Sequence, residues 1–108
     1  MIDWRIKHIF AHYGKEHQLE KLLEESYELQ EATRNLLWLL KAYQCEDKDE
    51  RIEKAVDHLA EEIADVRIMC EQIEHGLGIY GKCDYQRKYK LERQIERINT
   101  ETKGWKSL

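Results

Sequence analysis

"KLLEESYELQ", residues 21–30, sets Leu22, Leu23 and Leu29 beside Glu24, Glu25 and Glu28. Leucines that return after one and two turns, with charge between them, mark a helix with one buried side. A surface helix usually mixes its glutamates with lysines, because like charges one turn apart repel. Three carboxylates gathered at the edge of an apolar stripe therefore call for a positive partner.

The same period runs outward from this stretch in both directions, and strand-like alternation is absent. A short helix is expected over about residues 3–13, stopped by Gly14. The second, about 16–44, carries Leu19, Leu22, Leu23, Leu29, Leu36, Leu37 and Leu40. "CEDKDER", residues 45–51, is a charged connection in which Asp47 and Glu50 form a capping box for the third helix. That helix, about 50–76, is striped by Ile52, Val56, Leu59, Ile63, Val66, Cys70 and Ile73, and Gly76 and Gly78 end it. Asp84 is the expected cap of a fourth helix, about 85–99, with Tyr89, Leu91, Ile95 and Ile98 toward its inner face; residues 99–108 read as a tail. The fold class is all-α, a four-helix protomer packing into an oligomeric helical bundle.

With 108 residues the chain suits one domain, 1–108. Hydrophobic residues make up 42% and charged residues 37%, with no proline, a balance that favours helix with an ionised surface. A net charge of −4 gives no global attraction to nucleic acid, so any phosphate would need a local basic patch or a metal. Cys45, Cys70 and Cys83 are odd in number and lack CxxC spacing, which argues for reduced cytosolic thiols rather than a disulfide framework. No signal-like run opens the chain and no 18-residue apolar stretch occurs, so no membrane partner and a cytoplasmic location are expected. "LLWLL", residues 36–40, is apolar all round its turn, which implies burial from two directions and hence a homo-dimer or homo-tetramer.

At 100° per residue, Glu25 falls on the margin of the second helix's stripe, with Glu28 a little further round on the side of Lys21. "HLAEEIADV", residues 58–66, repeats the arrangement with Glu62 on the margin and Asp65 just outside it. Each helix thus offers an i, i+3 carboxylate pair on one face. Antiparallel packing, favoured by the short connection, brings the pairs together. Four converging carboxylates repel and resist desolvation, and a divalent cation removes both problems. Oxygen-only ligands suit a hard ion, Mg²⁺ or Mn²⁺. The competing reading is two solvated acidic faces.

"EESYE" at 24–28 followed by "EIAD" at 62–65 resembles the EExxE…ExxD signature of the all-α nucleoside triphosphate pyrophosphohydrolases, the MazG-like family. The likeness extends through residues 12–29, 58–79 and 88–98, although the segment between the motifs is somewhat long. The resemblance implies Mg²⁺-dependent hydrolysis of a nucleoside triphosphate, a deoxynucleotide or non-standard nucleotide included, to the monophosphate and pyrophosphate. It implies Glu25, Glu28, Glu62 and Asp65 as metal ligands, the four that helical geometry also selects. Glu24 or Glu61 would orient or deprotonate the attacking water, or be solvated outer-face residues.

Lys90, Arg93 and Arg97 lie three and four apart and can form a basic stripe for phosphate, as can Lys21 one turn before Glu25; surface pairing is the alternative. Trp4, His17, Gln18 and Tyr13 are the groups available to a base, and the resemblance favours Gln18. His8 and His12 have metal spacing without a further ligand, and His58 precedes Glu62 by one turn. "GLGIYG", residues 76–81, matches a dinucleotide-binding pattern by letters alone, since a helix precedes it. A di-iron bundle would require Glu-x-x-His, which the chain lacks. A non-enzymatic helical interaction protein that keeps the fold is the remaining alternative.

Overall fold

The computed structural model describes residues 1–44 and 46–106, with side chains to residue 102. Its order is α1 (Trp4–Tyr13), α2 (Lys15–Lys41), α3 (Lys48–Gly76) and α4 (Tyr80–Lys106), and no strand occurs among the described residues. The chain groups into two compact units, Met1–Leu77 and Gly78–Leu108.

In the first unit, α1 opens on Asp3, whose carboxylate accepts from the Arg5 backbone N–H at 3.0 Å. Gly14 ends it with φ at 86°, a left-handed value that a side chain would resist, and the chain turns directly into α2. α1 packs on α3 and less extensively on α2. A Cβ on Gly76 would run into the Phe10 ring, so the glycine lets the end of α3 meet α1 closely.

α2 and α3 form an antiparallel hairpin, and its seam has a seven-residue repeat. On α2 the inward positions are Gln18, Leu22, Glu25, Leu29, Ala32, Leu36 and Leu39; on α3 they are Ile52, Ala55, Leu59, Glu62, Val66, Met69 and Ile73. Alternating steps of four and three keep one narrow stripe facing the partner, the pattern of a coiled-coil seam. At the end remote from the connection, Gln18 Nε2 donates to Gln72 Oε1 at 2.7 Å, which fixes the register.

Several local expectations give way. α2 stops at Lys41, because Ala42 is extended and its carbonyl accepts from Lys48 Nζ at 2.6 Å. The capping box at Asp47 and Glu50 does not form: Asp47 is left-handed (φ 57°) and makes no side-chain cap, and Glu50 pairs with Lys54 at 3.2 Å. α4 starts at Tyr80, so Asp84 lies inside it, bonded to Lys88 at 3.1 Å rather than capping. The expected tail is helical to Lys106, since no proline stops it and Gly104 alone costs only about 1 kcal/mol relative to alanine. "GLGIYG" spans the end of α3, a turn at Gly78 and the start of α4. No disulfide occurs among the described residues; Cys45 lies outside them. No described helix is long and apolar enough to cross a membrane.

The buried Gln18–Gln72 bond supplies a test. Gln18→Leu strands the Gln72 amide and should cost about 1–3 kcal/mol, whereas Gln18→Leu with Gln72→Leu removes both partners and should recover most of that loss. Denaturant melts of the three proteins measure it; a double variant as weak as the sum of the singles would show that the bond does not act as a pair.

Candidate metal centre

The seam places two acids where a helical hairpin normally holds leucine. Glu25 and Glu62 are each only 9% exposed, so both lie inside the interface rather than on the margin that the sequence suggested. Their Oε2 atoms are buried and have no hydrogen-bond partner among the described residues. Glu28 joins them: one carboxylate oxygen from each of Glu25, Glu28 and Glu62 falls within 4.8 Å of the others. Burial first, then the charge of Glu28, holds the Glu25 carboxyl above the usual carboxylate range, and Asp65 adds to the effect.

The surrounding residues follow from helix geometry. In an antiparallel pair of right-handed helices, the residue before a seam position turns to the same side of the pair on both helices. That row contains Lys21, Glu24 and Glu28 on α2 and His58, Glu61 and Asp65 on α3. Lys21 Nζ lies 3.4 Å from Glu24 and 3.5 Å from Glu25, and the pair with Glu24 is the main reason its own pKa is raised. The His58 ring lies 3.7 Å from Glu61 and 3.8 Å from Glu62.

Three of the four expected ligands therefore converge. Asp65 stands beside them, exposed and outside the 4.8 Å group, although its charge reaches Glu25. Glu28 occupies the equivalent flanking position on α2, but its extra methylene carries its carboxylate into the cluster. Glu24 and Glu61 are exposed at the rim, next to Lys21 and His58 respectively. An all-oxygen set with two orphaned buried oxygens fits a hard divalent cation, and Glu25, Glu28 and Glu62 are the residues able to hold it, with Asp65 within reach of the same charge.

The expected substrate groups are placed less uniformly. Gln18 is 3% exposed, its amide shared between Gln72 and the His17 ring, so it braces the hairpin. His17 stacks on Tyr13 at 4.8 Å, and exposed Trp4 leans on His8 at 5.8 Å. His17 is eight residues before Glu25, about 12 Å along the helix. Lys90, Arg93 and Arg97 belong to the second unit, where they are exposed on α4 and Arg93 lies 5.6 Å from the Tyr89 ring. Sequence reasoning missed a groove on the row that carries the rim acids: Asn35, Trp38, Arg51, Lys54 and His58 line an open space of about 290 Å³. The signal is present in the sequence, since 51, 54 and 58 share one helical face.

Compared with known proteins, the chain matches no family model, no curated protein and no solved structure.

Glu25 tests the cluster. A carboxyl whose pKa rises on folding binds its proton more tightly when folded, so its charge weakens the fold at neutral pH and ceases to do so as pH falls through its raised value. Metal-free Glu25→Gln should therefore melt above wild type at pH 7, and the difference should shrink in acid. About 1 kcal/mol corresponds to roughly 4–8 °C in a chain of this size. Mg²⁺ should raise the wild-type melting temperature and barely move the variant. A metal-free variant less stable than wild type at pH 7 would contradict strain at this site.

Proposed function

We propose that the chain is a Mg²⁺-dependent nucleoside triphosphate pyrophosphohydrolase of the MazG-like kind, releasing the monophosphate and pyrophosphate. The observation that carries this reading is the buried pair Glu25 and Glu62, each with an unpartnered oxygen, joined by Glu28 within 4.8 Å. Nothing in the packing of a hairpin requires acids there, and hard-cation chemistry uses them. The ion, when bound, supplies neutralisation of phosphate oxygens and activation of an attacking water.

The chain's own residues do the rest in this reading. Glu25, Glu28 and Glu62 hold the ion from two rigid helices, with Asp65 completing the set from the rim. Lys21, at 3.5 Å from Glu25, offsets part of the acidic charge and offers a cation to an incoming phosphate. Glu24 and Glu61 are the solvent-facing carboxylates able to orient or deprotonate water at the edge of the site. Mn²⁺ meets the same donor requirement.

A helical interaction protein is the second reading, and one observation favours it. The residues that follow the seam positions turn to the opposite side of the hairpin, and there Leu19, Leu23, Leu37, Leu40, Val56 and Ile63 stand exposed. That face suits a partner, but it leaves the buried acids without a purpose. Self-association reconciles both: the leucine face assembles copies of the chain while the acidic face stays open.

Pyrophosphate release, measured over the natural ribo- and deoxynucleoside triphosphates with Mg²⁺, is the direct assay. Turnover should require the metal, and Glu28→Gln or Asp65→Asn should lower it by at least the ~10–100-fold that outer-sphere metal partners are worth. Metal-independent release, or full activity in both variants, would remove the acids from the mechanism. For assembly, light scattering should give at least twice the chain mass, falling to the monomer in Leu37→Glu or Leu40→Glu, because an unpaired carboxylate is costly to bury. These side chains are exposed within the chain, so the hairpin itself should persist. A wild-type monomer at high concentration would defeat the assembly proposal.

A further inference from the structure

Beside the acids, on the same side of the hairpin, lies the groove of about 290 Å³ between α2 and α3. One wall carries two cations and an imidazole: Arg51, Lys54 and His58 follow one another at helical spacing toward Glu62. Lys54 is paired with Glu50 at 3.2 Å, an exposed pair of the kind that rearranges at little cost, and Arg51 has no ion-pair partner among the described residues. The facing wall offers Asn35 and Trp38.

This juxtaposition divides the functional face by charge. The acids accept a cation and repel a bare anion, and the groove, beginning one turn beyond Glu62, does the reverse. His58 is about 6 Å from Glu62 along the helix and Lys54 about 12 Å, so an extended anion anchored at the acids would run from one region into the other. A polyphosphate has this form: a cation held by Glu25, Glu28 and Glu62 would neutralise the charge at one end, and the charge at the other end requires donors. Arg51 supplies a planar guanidinium suited to two phosphate oxygens, and Lys54 a mobile point charge.

We propose that this groove receives the pyrophosphate end of the substrate, with Arg51 and Lys54 as its donors. The assignment rests on the hydrolase reading of the acidic centre and adds a direction to it: the scissile bond lies near Glu62, and the leaving pyrophosphate points toward the α2–α3 connection. The nucleoside then lies on the other side of the acids, toward Lys21 and the N-terminal end of α2. The groove is open, so the product leaves without movement of either helix.

Calorimetric titration tests the proposal with three probes: Mg²⁺ alone, inorganic pyrophosphate with Mg²⁺, and a nucleoside monophosphate with Mg²⁺. Arg51→Ala and Lys54→Ala should each weaken pyrophosphate binding by about tenfold or more, the scale of a charge-assisted hydrogen bond. Mg²⁺ and monophosphate affinities should stay unchanged, and Arg51→Lys should recover part of the loss. Pyrophosphate affinity equal to wild type in both alanine variants would overturn the groove assignment alone, given that Mg²⁺ still binds. Weakened monophosphate binding with intact pyrophosphate binding would also overturn it, because Trp38 and Asn35 would then be holding the base. A wild-type protein that does not bind Mg²⁺ would overturn the hydrolase reading and this assignment together.

Discussion

Glu25 and Glu62 face each other's helices inside a seam whose other positions are mainly leucine, isoleucine, alanine, valine and methionine. Each ionised carboxylate withdrawn from water costs several kcal/mol unless a partner compensates it. Lys21 offers partial compensation from the rim, and His58 does so only when protonated. Replacing buried charges by packed apolar side chains is often neutral or stabilising by about 1–4 kcal/mol, so folding alone gives no reason to keep them. The hairpin's length offsets that cost: helices of 27 and 29 residues bury apolar side chains at most of the other seam positions. Rigid helices on both sides also keep the oxygens together when repulsion would part them.

The seam also divides the hairpin into two unlike faces. Positions before the seam residues carry the rim acids, Lys21, His58, Arg51, Lys54, Asn35 and Trp38, while positions after them carry exposed leucine, valine and isoleucine beside Glu53 and Arg67. One helical repeat thus sets the acid cluster and the exposed leucines on opposite sides of the seam without any loop or insertion. Mutations can address one face and spare the other. α1 braces the end of the hairpin where Gln18 and Gln72 meet, through the close approach of Phe10 and Gly76.

Helix number, helix type and the two acidic pairs were legible in the sequence, because long periodic segments leave little ambiguity. The depth of the acids was not. The stripe direction had been drawn through Leu19, Leu23, Leu37 and Leu40 on α2 and Val56 and Ile63 on α3, and these belong to the second apolar face. Including them rotated the apparent centre away from Glu25 and Glu62 and left the acids on a margin. At "CEDKDER" the difference is small: the helix expected from about residue 50 starts at Lys48, inside the charged run. Gln18 looked available to a base because a single sequence does not show that Gln72, 54 residues later, occupies its amide.

Whether the buried acids form a divalent-cation site is read directly with Mn²⁺. Electron paramagnetic resonance distinguishes free Mn²⁺ from bound, so a titration at physiological salt counts sites without assuming a substrate. A metal site there gives saturable loss of the free-ion signal on adding protein, reversed by excess Mg²⁺ and persistent as salt is raised, since a buried site is screened little. A free-ion signal that protein leaves unchanged, or a loss that salt abolishes, would mean that Glu25, Glu28 and Glu62 converge without holding a metal.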